Sequence, residues 1–210
     1  MRKQTKGKGR PAKGTYGRVY QFKITLMGSE PPIWRQIQVP ETYSFWDLHV
    51  ALQDAMGWSD SHPHSFEMMD SSTHERIEMG IPDEDGSEDG RVHAEWKKMV
   101  ADLFTLENTD AFYTYDFGDD WRHEVELEGI LPREEDTSYP RCIAGERACP
   151  PEDCGGMLGY LNMLKVIADK EHKERKNTME WLGGQFDPER FDAKAVKFDD
   201  PKKRWKTAFG

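Results

Sequence analysis

Apolar and polar positions alternate most cleanly between Tyr113 and Glu128. Tyr113, Tyr115 and Phe117 share one face and Gly118-Asp119-Asp120 interrupts. Trp121, His123, Val125 and Leu127 then resume that face, with Arg122, Glu124, Glu126 and Glu128 opposite. A period of two broken by a turn predicts a β-hairpin with one buried face. A second hairpin is predicted near the start. Tyr20, Phe22, Ile24 and Leu26 alternate with polar residues, and Gly28-Ser29-Glu30-Pro31-Pro32 supplies the turn. Ile33, Ile37 and Val39 line the next strand, with Arg35 on the same side and Pro40 as its end.

The period then changes. Phe45, Leu48, His49, Leu52, Ala55 and Met56 fall at helical spacing. Ser44 is placed to cap that helix, Asp47 to complete a capping box and Gly57 to stop it. Trp58 to Ser65 reads as a loop from which His64, Phe66 and Met68 alternate into another strand. A short helical segment is predicted around Trp96 to Phe104. Leu158, Leu161, Leu164, Ile167 and Ala168 mark a later helix, and Lys173 to Leu182 another, stopped by Gly183-Gly184. Asp187-Pro188-Glu189 predicts a third, running to about Val196. Strands first and helices last define an α+β class. The opening order of hairpin, helix and strand predicts a β-grasp-like mixed sheet of hairpins, with one early helix and C-terminal helices packed on it. Residues 19–200 read as a single domain, 1–18 as a disordered basic tail and 201–210 as a basic C-terminal end.

Composition supports a packed core. Hydrophobic residues are 36% of 210, and seven Trp, seven Tyr and ten Phe raise the area available for burial. No apolar run approaches the roughly 20 residues of a membrane helix. The N-terminal basic residues lack the apolar stretch of a secretory signal, so a cytoplasmic, membrane-free location with reduced thiols is expected.

Charge is unevenly placed. The net charge is −10, but Arg2, Lys3, Lys6, Lys8, Arg10, Lys13 and Arg18 carry +7 with no acid among them, which leaves −17 for the rest. A body that acidic repels nucleic-acid backbones. Nucleic acid therefore enters only as an alternative partner of the tail, and an unknown protein is the expected partner. Residues 78–95 form an acidic loop. Aligned from Asp85, it mimics a calcium loop for a few positions, with Ser87 third, Asp89 fifth and Gly90 sixth, but the match fails at the twelfth, where Trp96 stands in place of the required Glu.

The chemistry-bearing residues gather late in the chain. All three cysteines, Cys142, Cys149 and Cys154, lie in a stretch crowded with Pro and Gly, which reads as a shaped loop. Three reduced thiols point either to zinc or to small buried apolar groups. For zinc, His123 is the expected fourth ligand because it faces inward, with His62 and His64 as alternatives. Asp116, Asp119, Asp120 and His123, with Tyr113 and Tyr115 nearby, form a second constellation, able to act as an acid–base pair or to hold a hard cation. The other reading is turn chemistry, with Asp side chains bonding the turn backbone. Pro31, Pro32, Trp34, Trp58 and Trp121 either form a partner surface or roof the sheet.

Two stretches are unusual enough to carry a family resemblance. Tyr-Thr-Tyr-Asp-Phe-Gly-Asp-Asp-Trp-Arg-His (113–123) and Cys-Pro-Pro-Glu-Asp-Cys-Gly-Gly (149–156) resemble the plasmid pRiA open-reading-frame-three family. Pro31-Pro32-Ile33-Trp34-Arg35, Trp58-Ser59-Asp60-Ser61-His62 and Trp181-Leu182-Gly183-Gly184-Gln185-Phe186-Asp187-Pro188 extend the match over roughly residues 19–198. The resemblance implies a TnpR-labelled passenger of a mobile element and brings no activity with it. A serine recombinase needs a Ser among several Arg that neutralise the attacked phosphate. Here the serines sit mainly in turns, often beside acids, and no Arg cluster accompanies them. The reading that follows is a non-catalytic interaction module with a cysteine-rich structural loop that binds zinc or simply packs. Its alternatives are a small metal-dependent hydrolase using Asp119, Asp120 and His123, and a nucleic-acid accessory protein acting through the tail.

Overall fold

The structure, a computed structural model, describes residues 16–82 and 92–209. The basic tail, apart from its last three residues, and the acidic stretch from 83 to 90 lie outside the described residues. One sheet of eight strands organises the chain. Its strands are β1 (Arg18–Leu26), β2 (Ile33–Pro40), β3 (His64–Asp70), β4 (Glu75–Gly80), β5 (Val92–Ala94), β6 (Asp110–Tyr115), β7 (Trp121–Pro132) and β8 (Arg141–Glu146). Across the sheet the order is β5-β4-β3-β6-β7-β1-β2-β8. Neighbours are antiparallel except β4 and β5, which run parallel. The helices are α1 (Phe45–Met56), α2 (Val100–Leu103), α3 (Gly156–Ala168), α4 (Arg175–Trp181) and α5 (Pro201–Phe209). The chain is an α+β protein with a mixed sheet, and its opening order is hairpin, helix, strand.

Both predicted hairpins form. In β7 the alternation is exact through Leu127, with Trp121, His123, Val125 and Leu127 buried and the four charged residues outside. Phe117 departs from the pattern: it lies in the turn and is 56% exposed. The reason is the backbone. Asp116 adopts a left-handed φ of 57°, which ends the pleat after Tyr115. The longest pairing, β1 with β7, ties the two hairpins together and bulges between Gln21 and Phe22.

Helix α1 begins and ends where its signals lie. Ser44 Oγ accepts from the Asp47 amide at 3.2 Å, and Asp47 Oδ2 accepts from the Ser44 amide at 2.9 Å. Gly57 closes the helix with φ +100°, a conformation in which a side chain is strained. Most of the helix is buried, Trp46 and Val50 included, because it is covered on both sides. Its second cover is α5, the predicted basic C-terminal end, which is a packed helix. Trp205 meets Trp46 edge-on at 5.1 Å, and Trp46 Nε1 donates to the Pro201 carbonyl at 3.1 Å. Arg204 pairs with Asp54 at 2.6 Å and with Asp199 at 2.5 Å.

Two other expectations change. The cysteine-bearing stretch is only partly a loop, because Arg141–Glu146 pairs with β2 as edge strand β8 and carries Cys142 with it. The helix predicted from Asp187 to Val196 is reduced to a three-residue 3-10 turn, Ala193–Ala195. There Asp187 spends its side chain on the Glu189 amide in a local turn, and Phe191 lies against the Arg35 guanidinium 3.8 Å from its ring centre. A tertiary anchor outweighs a weak helical start.

Candidate functional site

Three segments meet at one corner of the sheet: the Trp58–Pro63 loop after α1, the 116–120 turn between β6 and β7, and the 149–156 segment before α3. Trp58 is buried, stacks on Tyr115 at 5.0 Å and donates from Nε1 to the Pro150 carbonyl at 3.0 Å. Glu152 gathers three donors: the Ser59 amide at 3.2 Å, the Ser59 hydroxyl, and the Tyr115 hydroxyl at 2.5 Å. Tyr115 oxygen accepts in turn from the Ser61 amide at 2.9 Å. Burial and the Glu152 contact push the Tyr115 phenol well above its ordinary value, so it acts as a donor.

The third segment is locked to the turn. Asp119 Oδ2 accepts from the Gly155 amide at 3.2 Å. A Cβ on Gly156, whose φ is +65°, would lie 2.4 Å from the Asp119 carbonyl oxygen. Only glycine allows so close an approach of two backbones. Asp116 braces the same turn, its Oδ1 accepting from the Gly118 amide at 2.9 Å and the Asp119 amide at 3.2 Å.

The predicted acid–base residues are thus separated. Asp120 is exposed and Asp119 is engaged with Gly155. His123 is fully buried, edge-on to Trp58 at 5.3 Å and beside Tyr113 at 5.5 Å. Its Nδ1 donates to the Tyr113 carbonyl at 3.3 Å, while Nε2 has no partner. Burial pushes its pKa down to about 4, against the raising effect of that carbonyl. His123 is a neutral core residue on β7, whereas Asp119 and Asp120 lie in the turn that precedes this strand.

The thiols stand apart as well. Among the described residues, two groups of three His, Cys, Asp or Glu bring their ligand atoms within 4.8 Å of one another, and neither contains a cysteine. All three cysteines are free and partly buried against the core. Burial raises Cys142 and pushes Cys154 up to about 12. Cys149 rises further still, although Arg35 opposes the shift. At each of the three positions burial favours the neutral thiol. Arg35 itself is 1% exposed and bonds only carbonyls: Ala55 at 2.9 Å, Trp34 at 2.8 Å and Glu146 at 2.9 Å. Of the aromatic and proline residues singled out earlier, Trp58 and Trp121 roof the core, Trp34 is half-buried, and Pro31 and Pro32 are exposed.

Two groupings were not read from the sequence, although Asp116, Tyr113, His62 and His64 were each singled out there. The first is a buried chain. Gln53 donates to the Tyr113 hydroxyl at 2.8 Å, Tyr113 bonds His49 Nδ1 at 2.8 Å, and His49 Nε2 bonds Asp60 Oδ1 at 2.8 Å. The carboxylate accepts, so His49 carries its proton on Nε2 and takes one from Tyr113 at Nδ1. Burial, reinforced by the neighbouring His64, pushes His49 down to about 4. Tyr113, at one end of this chain, is 0% exposed, whereas Asp60 at the other end borders a cavity of about 760 Å³. The second group is His62, Asp116 and Asp153, one residue from each of the three converging segments. His62 and Asp60 do lie in a motif that marked the family, but nothing in their spacing announces which carboxylates they meet.

The chain belongs to the plasmid pRiA4b ORF-3-like family, which it matches over residues 18–195. It is 35% identical over 188 residues to the uncharacterized protein y4hQ of Sinorhizobium fredii (strain NBRC 101917 / NGR234), a match covering 88% of this chain and 89% of the relative. It is also similar to the crystal structure of a protein of unknown function, MM3350, from Methanosarcina mazei Go1, with 49% identity and a TM-score of 0.83. That similarity covers 88% of this chain and all of the other. Among the described residues no helix is long and apolar enough to cross a membrane.

Proposed function

We propose that the chain is a non-catalytic interaction module, in keeping with a mobile-element passenger, whose cysteine-bearing segment is a structural clamp. The observation that supports this reading is the filled 116–120 turn: Asp119 is spent on Gly155, Gly156 packs on its backbone, and His123 is sealed beneath Trp58. An acid–base pair must reach a common substrate proton, and here His123 is sealed in the core while Asp120 is exposed in the turn before β7. The clamp works through packed thiols and the Glu152 hydrogen bonds, with no need for a shared ion.

The open surface lies next to the clamp. A cavity of about 530 Å³ between α3 and α4 has Met163 and Val166 in its floor, Asn162, Asn177 and Thr178 on its sides and Trp181 at its rim. Trp181 is 53% exposed and Leu158 on α3 is 84% exposed. An apolar floor with a polar rim suits a short peptide segment that inserts an aliphatic or aromatic anchor. Selection of a displayed peptide library on the full chain tests this. Binders are expected to carry such an anchor and to lose at least tenfold in affinity to Trp181→Ala, with Asp120→Asn unchanged. Binders indifferent to Trp181→Ala, or turnover of ester or phosphate substrates abolished by His123→Gln, overturn the reading.

A further inference from the structure

We infer that His62, Asp116 and Asp153 form a binding site for one divalent first-row transition-metal cation. His62 Nε2 lies 3.2 Å from Asp153 Oδ1 and 3.6 Å from Asp116 Oδ2. A direct hydrogen bond between such groups would be about 2.7–2.9 Å. Donors that share an ion at about 2.1 Å, with angles between 90° and tetrahedral, lie about 3.0–3.4 Å apart. The 3.2 Å separation falls in that range, the 3.6 Å separation lies slightly beyond it, and neither contact is a hydrogen bond among the described residues.

Asp116 supplies the second, independent sign. The residue is only 8% exposed, and its Oδ1 is committed to the Gly118 and Asp119 amides. Its Oδ2 accepts no hydrogen bond among the described residues and is aimed at His62. A carboxylate oxygen that accepts no hydrogen bond, in a side chain only 12% exposed, is open to a cation. A second carboxylate, Asp153, within 4.8 Å makes the need for positive charge greater. Among the described residues, the contacts of Asp116 Oδ2 and Asp153 Oδ1 within ion-pair range are to His62 alone.

The other close group, His49, Asp60 and His64, fails the same test. The two imidazoles stack with ring centres 3.4 Å apart and planes 4° apart. An ion must lie in the plane of each ring that binds it, and parallel stacked planes share no such point. At the His62 group a single imidazole imposes no conflict. One nitrogen and two carboxylate oxygens suit Mn²⁺ or Zn²⁺, with the remaining positions left to water. Asp153 also borders the α3–α4 cavity, so those positions face solvent.

This inference is independent of the peptide-binding reading. Titration of the metal-stripped full chain with Mn²⁺ and Zn²⁺ by calorimetry, with Mn²⁺ spin resonance as a second readout, tests it. One ion per chain is expected, with affinity reduced at least tenfold in Asp153→Asn and in His62→Gln. The Asp153 side chain is 73% exposed, so its substitution leaves the fold intact. The variants Cys149→Ser and Asp120→Asn are expected to bind as the parent does. Absence of saturable binding, binding indifferent to Asp153→Asn, or binding lost in Cys149→Ser would each overturn the site.

Discussion

His49 and His64 lie ring on ring, 3.4 Å between centres, although one belongs to α1 and the other to β3. Each faces its own carboxylate: His49 meets Asp60 at 2.8 Å and His64 meets Glu95 at 2.9 Å. The stack therefore joins helix, sheet, loop and the Glu95–Lys97 turn in one buried polar unit. Such units are costly to disturb, because any group left without its partner keeps its full desolvation penalty.

Glu95 is the most exacting member. It is 0% exposed and bonds His64 Nε2 with both oxygens, at 2.9 and 3.1 Å. Glu95→Ala is expected to cost about 3–5 kcal/mol in chemical denaturation, the usual result of removing one partner of a buried pair. Glu95→Gln keeps an acceptor and is expected to cost less. Equal effects of the two would refute the pairing argument.

Acid should weaken the fold through its neutral histidines. His123 is pushed from 6.5 down to about 4, so between those pH values the unfolded chain takes up a proton that the folded chain refuses. Stability from this group is complete above pH 6.5 and declines as the pH falls towards 4, by roughly 3 kcal/mol in total. His49 acts in the same direction. Denaturation midpoints measured from pH 7 to pH 4 should fall, and the fall should be shallower in His123→Gln. An unchanged slope in that variant would rule out His123 as a contributor.

Two adjacent glycines separate backbone strain from contact. Gly155 and Gly156 both have positive φ, 88° and 65°. A Cβ at Gly155 would meet only Gly159 Cα at 3.7 Å, whereas at Gly156 it would strike the Asp119 oxygen. Gly155→Ala should cost about 1 kcal/mol from the left-handed conformation alone. Gly156→Ala should cost about 2–4 kcal/mol, since overpacking is added to it. Thermal midpoints of the two variants provide the comparison.

The C-terminal helix should be separable from the sheet by charge. The Asp54 side chain is 7% exposed and depends on Arg204 and the Asp199 amide. Arg204→Ala is expected to cost about 3 kcal/mol and to loosen α5. Loosening would uncover Trp46, now 4% exposed, and shift tryptophan emission to the red. Unshifted emission after Arg204→Ala would place the anchor of α5 elsewhere, in Trp205.

Local periodicity determined much of this protein. The two hairpins, the caps of α1 at Ser44, Asp47 and Gly57, and the inward direction of His123 and Arg35 follow from residues within a turn or strand of one another, so they were legible in order along the chain. Tertiary contacts decided the rest. Cys142 joined a strand because β2 offered it an edge to pair with, and the helix expected at Asp187 yielded to the packing of Phe191 on Arg35. The basic end became a helix because Trp46 had an uncovered face. Above all, His62, Asp116 and Asp153 lie far apart in sequence. A carboxylate's partner is set by where the backbone brings it, and no spacing rule within one segment encodes a meeting of three.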